Sequence, residues 1–263
     1  MNRIDKKLRE LKKTGKKAFV AFITAGYPDL GVTEKLILEF AGSGVDIVEL
    51  GVPFSDPMAD GPVIQQSSES ALRKGTHLED ILDLVRRVRR HTAMPIALMT
   101  YYNPVFCFGE ERFVKAASRC GVDGVIVPDL PPEESKTLIR LANRHQLDVI
   151  NFIAPTTPVG RAKRIARTAK GFIYYVSLTG VTGARQGLAP DLVRNLKKIK
   201  KITAKPVCVG FGVSSRRQVR EIYRLADGVI VGSAIVGEIK KNLKNRNLVR
   251  NVGRFVRSLN SNV

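Results

Sequence analysis

Residues 49 to 61 read Glu-Leu-Gly-Val-Pro-Phe-Ser-Asp-Pro-Met-Ala-Asp-Gly and carry three carboxylates. Glu49 closes an apolar run, Asp46-Ile47-Val48-Glu49-Leu50, that reads as a short buried strand. Asp56 and Asp60 follow on a loop punctuated by Gly and Pro. A charge inside a buried strand is costly unless it has a partner or a task, so Glu49 stands out first. Two acids beside the C-terminal end of one strand can donate and accept protons on opposite parts of one substrate.

Other chemistries find less support. Lys170 and Lys205 precede the sixth and seventh expected strands, the wrong end of a parallel sheet for an imine-forming lysine. His77, His91 and His145 are scattered and read as surface residues, and no His, Cys, Asp and Glu set has metal-ligand spacing. Cys107, Cys120 and Cys208 lie far apart without a CxxC pair, which suits a reducing cytosol rather than a disulfide framework. Carboxylates then carry the proton transfers, and the substrate must supply its own electron sink. Asp129, between two prolines, reads as a loop-fixing residue, and Asp56 as either a loop acceptor or an interface contact.

The elements that position these acids follow a repeat. Apolar runs occur at 18–23, 46–50, 95–99, 123–127, 148–153, 171–176, 206–209 and 227–231. Between them, helical periodicity marks 31–43, 78–91, 110–119, 132–144, 158–168, 190–201, 215–225 and 236–258. Nearly continuous apolar strands alternating with helices predict a parallel sheet, and eight such units predict an α/β fold of the (β/α)8 TIM-barrel kind, one domain over 1–263. An open doubly wound sheet is the alternative. Ile4, Leu8 and Leu11 predict an extra N-terminal helix capping the barrel floor.

In a barrel the chemistry sits on the loops after the strands. Those after strands six, seven and eight are glycine-rich, and Gly232-Ser233 leads into a helix whose free N–H groups favour phosphate. A small anionic substrate follows, with the long loop after strand six as a lid over it.

Charge is distributed unevenly. The net charge of +20 comes from the two ends: eight Lys and Arg against two acids in 1–17, and seventeen against four in 191–263. Residues 18–190 hold nineteen against eighteen. Such blocks read as solvated helix faces with room for weak polyanion attraction, and no aromatic RNA-binding motif accompanies them. No apolar stretch approaches the ~20 residues of a membrane helix, and the N-terminus lacks the apolar core of a secretory signal. A cytoplasmic location is expected.

With these residues in view, the chain resembles the tryptophan synthase alpha chain family over essentially the whole barrel. The stretch Glu49–Gly61 is similar to the family signature. Phe22, Tyr101-Tyr102-Asn103-Pro104, Pro128-Asp129-Leu130-Pro131, Gly180-Val181-Thr182-Gly183, Gly210-Phe211-Gly212 and Gly232-Ser233-Ala234-Ile235 fall at the corresponding loops. The resemblance implies a lyase of L-tryptophan biosynthesis, cleaving indole-3-glycerol phosphate by a retro-aldol step to indole and glyceraldehyde 3-phosphate. It implies Glu49 as the acid/base and Asp60 as the carboxylate on the indole N–H. Phe22, Met99, Tyr101 and Ile153 would wall the indole, and Tyr174 matches a further active-site position. Gly183, Gly212, Gly232 and Ser233 would hold the phosphate, Phe211 is a further substrate-binding position, and Thr182 would close toward Asp60. It also implies an α2β2 heterotetramer with a beta chain that carries pyridoxal phosphate, this chain carrying no cofactor, with Pro53, Asp56 and Met58 as coupling contacts. The high positive charge departs from the family pattern. Alternatives are a free-standing indole-3-glycerol phosphate lyase and a basic barrel with a secondary polyanion-binding role.

Overall fold

Eight short strands close on one another: β1 (Ala18–Thr24), β2 (Ile47–Gly51), β3 (Ile96–Met99), β4 (Gly124–Ile126), β5 (Asp148–Ile153), β6 (Ile173–Val176), β7 (Val207–Gly210) and β8 (Gly228–Val231). Each pairs in parallel with the next, and β1 pairs with β8, so the sheet is a closed barrel and not an open one. The computed structural model describes residues 1–176, 190–210 and 212–260.

Strand alternation sorts the apolar residues into two layers. Ala18, Val20, Ile47, Ala97, Ile126, Ile150, Phe172, Cys208 and Ile230 fill the barrel interior. Phe19, Ile23, Val48, Leu50, Leu98, Val125, Val149, Ile173 and Val209 form the layer beneath the surrounding helices. Burial on both faces explains why the strands read as near-continuous apolar runs.

The helices are α1 (Arg3–Lys13), α2 (Leu30–Ala41), α3 (Pro62–Arg73), α4 (Leu78–Val88), α5 (Tyr102–Phe108), α6 (Glu110–Cys120), α7 (Lys136–Arg144), α8 (Val159–Thr168), α9 (Pro190–Ile202), α10 (Arg216–Tyr223), α11 (Ser233–Lys241) and α12 (Leu248–Leu259). The predicted helices recur within a few residues, with three departures. Two helices, α3 and α5, were not expected. The single helix expected over 236–258 is two, and the first begins at Ser233. Between them Asn242 turns its side chain back on the Glu238 carbonyl at 2.9 Å and accepts from Asn251 at 2.8 Å.

The N-terminal helix lies where its periodicity requires. Ile4, Leu8 and Leu11 are buried and join the interior cluster at the floor. Asn2 caps the helix by accepting from the Asp5 N–H at 3.0 Å, and its amide donates to the Asp123 carbonyl at 2.8 Å. The buried Asp123 carboxylate pairs with Arg3 and Arg89, each at 2.8 Å, and accepts from the Ile96 N–H at 2.9 Å. One carboxylate therefore ties α1, the end of α4 and β3 together. Lys205, which precedes β7, donates to the Ala169 carbonyl, far from the chemical rim.

Asp148 is a second buried floor carboxylate, and its Oδ2 has no hydrogen-bond partner. Burial pushes its pKa up to about 7, against the pull of Asn2 and Lys170, with Asp5 and Asp123 adding to the rise. The unfolded chain therefore loses this proton first. Stability present below the ordinary carboxylate range declines as pH rises to about 7. Asp148→Asn is expected to remove that decline, gaining about 2 kcal/mol at pH 7.5 and almost nothing at pH 4. Urea unfolding at the two pH values checks this, and equal gains at both would contradict it.

Candidate active site

Parallel register sets Phe22 beside Glu49 and Glu49 beside Ala97. Ala97 belongs to the interior set, so Glu49 also points into the barrel. It is fully buried, and neither carboxylate oxygen has a hydrogen-bond partner. Burial and then the charge of Asp60 push its pKa up to about 8. A carboxyl in this setting holds its proton at neutral pH and can act as an acid.

Asp60 reaches the same space from the loop after β2. Its Oδ2 accepts from the Tyr101 hydroxyl at 2.9 Å, and that hydroxyl accepts from the Ala59 N–H at 2.9 Å. Tyr101 stacks on Phe54, centroids 5.0 Å apart. The Gln65 side chain donates to the Asp60 carbonyl at 2.8 Å, so the first turn of α3 holds the loop from behind. A buried Thr24–Ser67 hydrogen bond of 2.6 Å fixes α3 to β1. Burial raises the Asp60 pKa, and the Tyr101 hydrogen bond opposes that rise. Burial thus raises both acids, and only Asp60 has a side-chain hydrogen bond that opposes the rise.

Aromatic rings line the chamber above the interior core. Tyr174 is buried, its phenol pushed well above its ordinary pKa by burial and then by Glu49 and Asp60. Phe152 packs against it at 4.7 Å, and Met99 is half-buried beside the interior cluster. Gly51 and Gly210 make room for the rings. A Cβ at Gly51 would lie 2.6 Å from the Phe22 ring, and one at Gly210 would lie 2.5 Å from the Tyr174 ring. Ile153, expected in this wall, packs in the outer layer under the helices instead. Its neighbour Phe152 takes the inward position, because adjacent strand residues face opposite ways.

On the opposite rim, Gly210 ends β7 and Gly212 has φ +69°. Gly232 is the N-cap of α11 and Ser233 its exposed first residue. The N-terminal turn of a helix presents N–H groups of the kind that favour an anion. Thr182, Gly183 and Phe211 lie outside the described residues. Asp129 accepts from the Tyr102 N–H at 2.9 and 3.1 Å, fixing the start of α5. Of the three expected coupling contacts, Asp56 and Met58 are exposed and Pro53 is buried. A cavity of about 350 Å³ opens between the ends of β4 and β5, but neither Glu49 nor Asp60 lines it. Among the described residues no His, Cys, Asp and Glu group could hold a metal, and no helix is long and apolar enough to cross a membrane.

Two features escaped the sequence reading: Phe152 as the inward aromatic, and Tyr101 as the donor to Asp60. The second had a signal, since a tyrosine directly after a barrel strand carries its hydroxyl to the rim.

The barrel and its sequence have close counterparts among known proteins. The family model for the tryptophan synthase alpha chain matches residues 8–263. The chain belongs to this family. A tryptophan synthase alpha chain from Geobacter sulfurreducens is 53% identical over 259 residues, covering 98% of each chain. One from Caldanaerobacter subterraneus is 46% identical over 259 residues, again 98% of each. The crystal structure of the tryptophan synthase alpha subunit of Legionella pneumophila superposes with a TM-score of 0.92 at 38% identity, covering 98% of this chain and 97% of that one. A structure from work on mutual activation of the Pyrococcus furiosus tryptophan synthase α2β2 complex superposes at 0.87 and 39% identity, covering 92% and 97%. The tryptophan synthase alpha fold is therefore present here along nearly its whole length.

Gly210→Ala tests the aromatic wall. The added methyl must displace the Tyr174 ring, which packs against Phe152 and cannot move freely. An overpacking loss of about 2 kcal/mol is expected in urea unfolding, and an unchanged midpoint would show that the ring yields without cost.

Proposed function

We propose that the chain is a lyase of tryptophan biosynthesis, cleaving indole-3-glycerol phosphate to indole and glyceraldehyde 3-phosphate. The observation that carries this is the pair of carboxyls at the end of β2. Glu49 is buried and holds its proton at neutral pH, while Asp60 is held by a tyrosine hydroxyl. Family membership points the same way.

Cleavage needs the indole ring to become an electron sink. Glu49 gives its proton to ring carbon C3, and the ring nitrogen takes up the positive charge. Asp60 accepts the indole N–H and stabilises that charge as it forms. The Glu49 carboxylate then takes the proton of the side-chain hydroxyl. That O–H pair becomes the aldehyde C=O, and the C–C bond electrons return to the ring and restore aromatic indole. The proton balance closes on Glu49. Tyr101 is a positioning residue that keeps Asp60 aimed. Phe22, Met99, Tyr101, Phe152 and Tyr174 surround the ring, Gly183, Gly212, Gly232 and Ser233 hold the phosphate, and Phe211 is a further substrate-binding residue. Thr182 closes toward Asp60 and shuts water out.

The chain acts as one barrel domain over residues 1–263, in the cytoplasm, without a cofactor of its own. Its partner is a tryptophan synthase beta chain carrying pyridoxal phosphate, in an α2β2 assembly. Exposed Met58 and Asp56 on the acid loop, with exposed Phe106 on α5, suit a partner seated on the chemical rim.

Indole release by the isolated chain, alone and with a beta chain added, tests this reading. Slow release that rises sharply with the partner supports the subunit, fast release alone supports a free-standing lyase, and no release in either case sinks the enzyme. Glu49→Gln is expected to lower turnover by at least about 10²-fold while substrate still binds. Activity of the unmodified chain should fall as pH rises through about 8, where Glu49 loses its proton. Because that pKa is raised on folding, Glu49→Gln should also raise Tm more at pH 8 than at pH 4. Tyr101→Phe removes a charge-assisted hydrogen bond. A 10- to 100-fold fall in kcat is expected, on the order of 1.5–3 kcal/mol, and near-normal kcat would remove its positioning role.

A further inference from the structure

Around the barrel wall the basic character is concentrated on one side, apart from the basic floor helix α1. Helices α8 to α12 carry seventeen Lys and Arg against three acids. Helices α2 to α7, on the other side, carry ten against eight. Exposed arginines on that near-neutral side are often paired, as in Arg73–Glu69, Arg86–Asp83 and Arg87–Glu34.

The neighbours α10 and α12 differ. They pack together, joined by a 3.2 Å hydrogen bond from the Tyr223 hydroxyl to Asn260. Arg216, Arg220 and Arg224 recur every four residues along α10 and its end. Arg246, Arg250 and Arg254 recur the same way into α12. All six are exposed, and none is within ion-pair distance of a carboxylate among the described residues. Four residues of helix advance about 6 Å, so the α10 row is a ladder of guanidinium forks about 12 Å long, and Arg250 and Arg254 stand about 6 Å apart on α12 with Arg246 just ahead of its N-cap.

We propose that this two-helix face binds the phosphodiester backbone of nucleic acid, as a second property independent of the lyase chemistry. Guanidinium forks match phosphate oxygens bidentately, which lysine heads do not. Two rows side by side suit a strand with a charge every ~3.4 Å along its axis. Among the described residues the large exposed apolar ones are Met1, Met58, Phe106, Val159 and Leu243. Only Leu243 lies near this face, so it offers neither rings for base stacking nor an apolar wedge for a lipid surface. The contact is therefore to phosphate and insensitive to sequence. With six phosphate contacts, log K should fall against log salt with a slope of about −5 on duplex DNA and about −4 on single strands.

The test is fluorescence anisotropy of the full chain with a labelled mixed-sequence duplex DNA and a single-stranded RNA, between 50 and 200 mM salt. Binding that weakens by about 10³-fold over that range and is the same for scrambled sequences is expected. The variant Arg216→Gln/Arg220→Gln/Arg250→Gln/Arg254→Gln should lose most of the affinity at 50 mM and flatten the slope by about 3 to 4. A control with Lys6, Arg9, Lys12 and Lys13 of α1 changed to Gln removes the same charge and should keep the slope. Circular dichroism and indole release must be unchanged in both. Equal losses in the two variants would reduce the effect to net charge and overturn the assignment. So would absence of binding at 50 mM salt, or tighter binding to anionic phosphatidylserine vesicles or polyglutamate than to nucleic acid.

Discussion

An unpartnered carboxyl in a dry barrel is the constraint around which the rest is arranged. Glu49 is fully buried with no hydrogen bond to either oxygen, so its charged form is unfavourable there and its proton stays until pH is about 8. Every neighbouring feature serves that condition. Interior apolar side chains below keep water out, aromatic rings fill the level of the carboxyl, and the second acid stands where its charge deepens the effect. A hydrogen-bond donor beside Glu49 would stabilise the protein but lower that pKa, leaving no proton to give at neutral pH. Proteins tolerate such local conflicts at functional sites, supported by consistency elsewhere.

The support can be followed outward. Asp60 is held by Tyr101 from the end of β3 and by Gln65 from α3, and α3 is fixed to β1 through Thr24 and Ser67. Three consecutive βα units thus converge on one carboxylate. At the other end, Asp123 gathers Arg3, Arg89 and the Ile96 amide, so α1 is locked to the strands whose far ends carry the chemistry. Floor and rim are built by the same device: one acid with donors from several elements. At Glu49 the device is withheld from both oxygens.

Much of this is legible in the sequence. The eight strands, the floor helix and the two acids follow from apolar runs, a 4-8-11 spacing and a charge in the wrong place. What escaped has physical reasons. The buried positions of α3 include Ser67, Ser68 and Ala71, which are small or polar, so no apolar stripe announces it. Seven-residue α5 contains Pro104 and reads as loop. The break between α11 and α12 was hidden by a continuing period, although Asn242, Asn245 and Asn247 mark it. The exchange of Ile153 for Phe152 is subtler. Because β5 is apolar on both faces, its composition cannot say which residue looks inward, and only register with β6 decides. The acid loop was legible because it breaks the rules of a core; the wall was less so because it obeys them.

The floor helix carries a further meaning. Ile4, Leu8 and Leu11 stopper the barrel from below, so the chamber is a blind alley. Whatever enters as one molecule must leave by the same door as two. On the proposed reading the ring end lies against Tyr174 and Phe152, and the phosphate end at the first turn of α11. Traffic then obeys a rule of first in, last out: the phosphorylated fragment clears the threshold first and indole follows it. A protein parked across that doorway is the first thing indole meets.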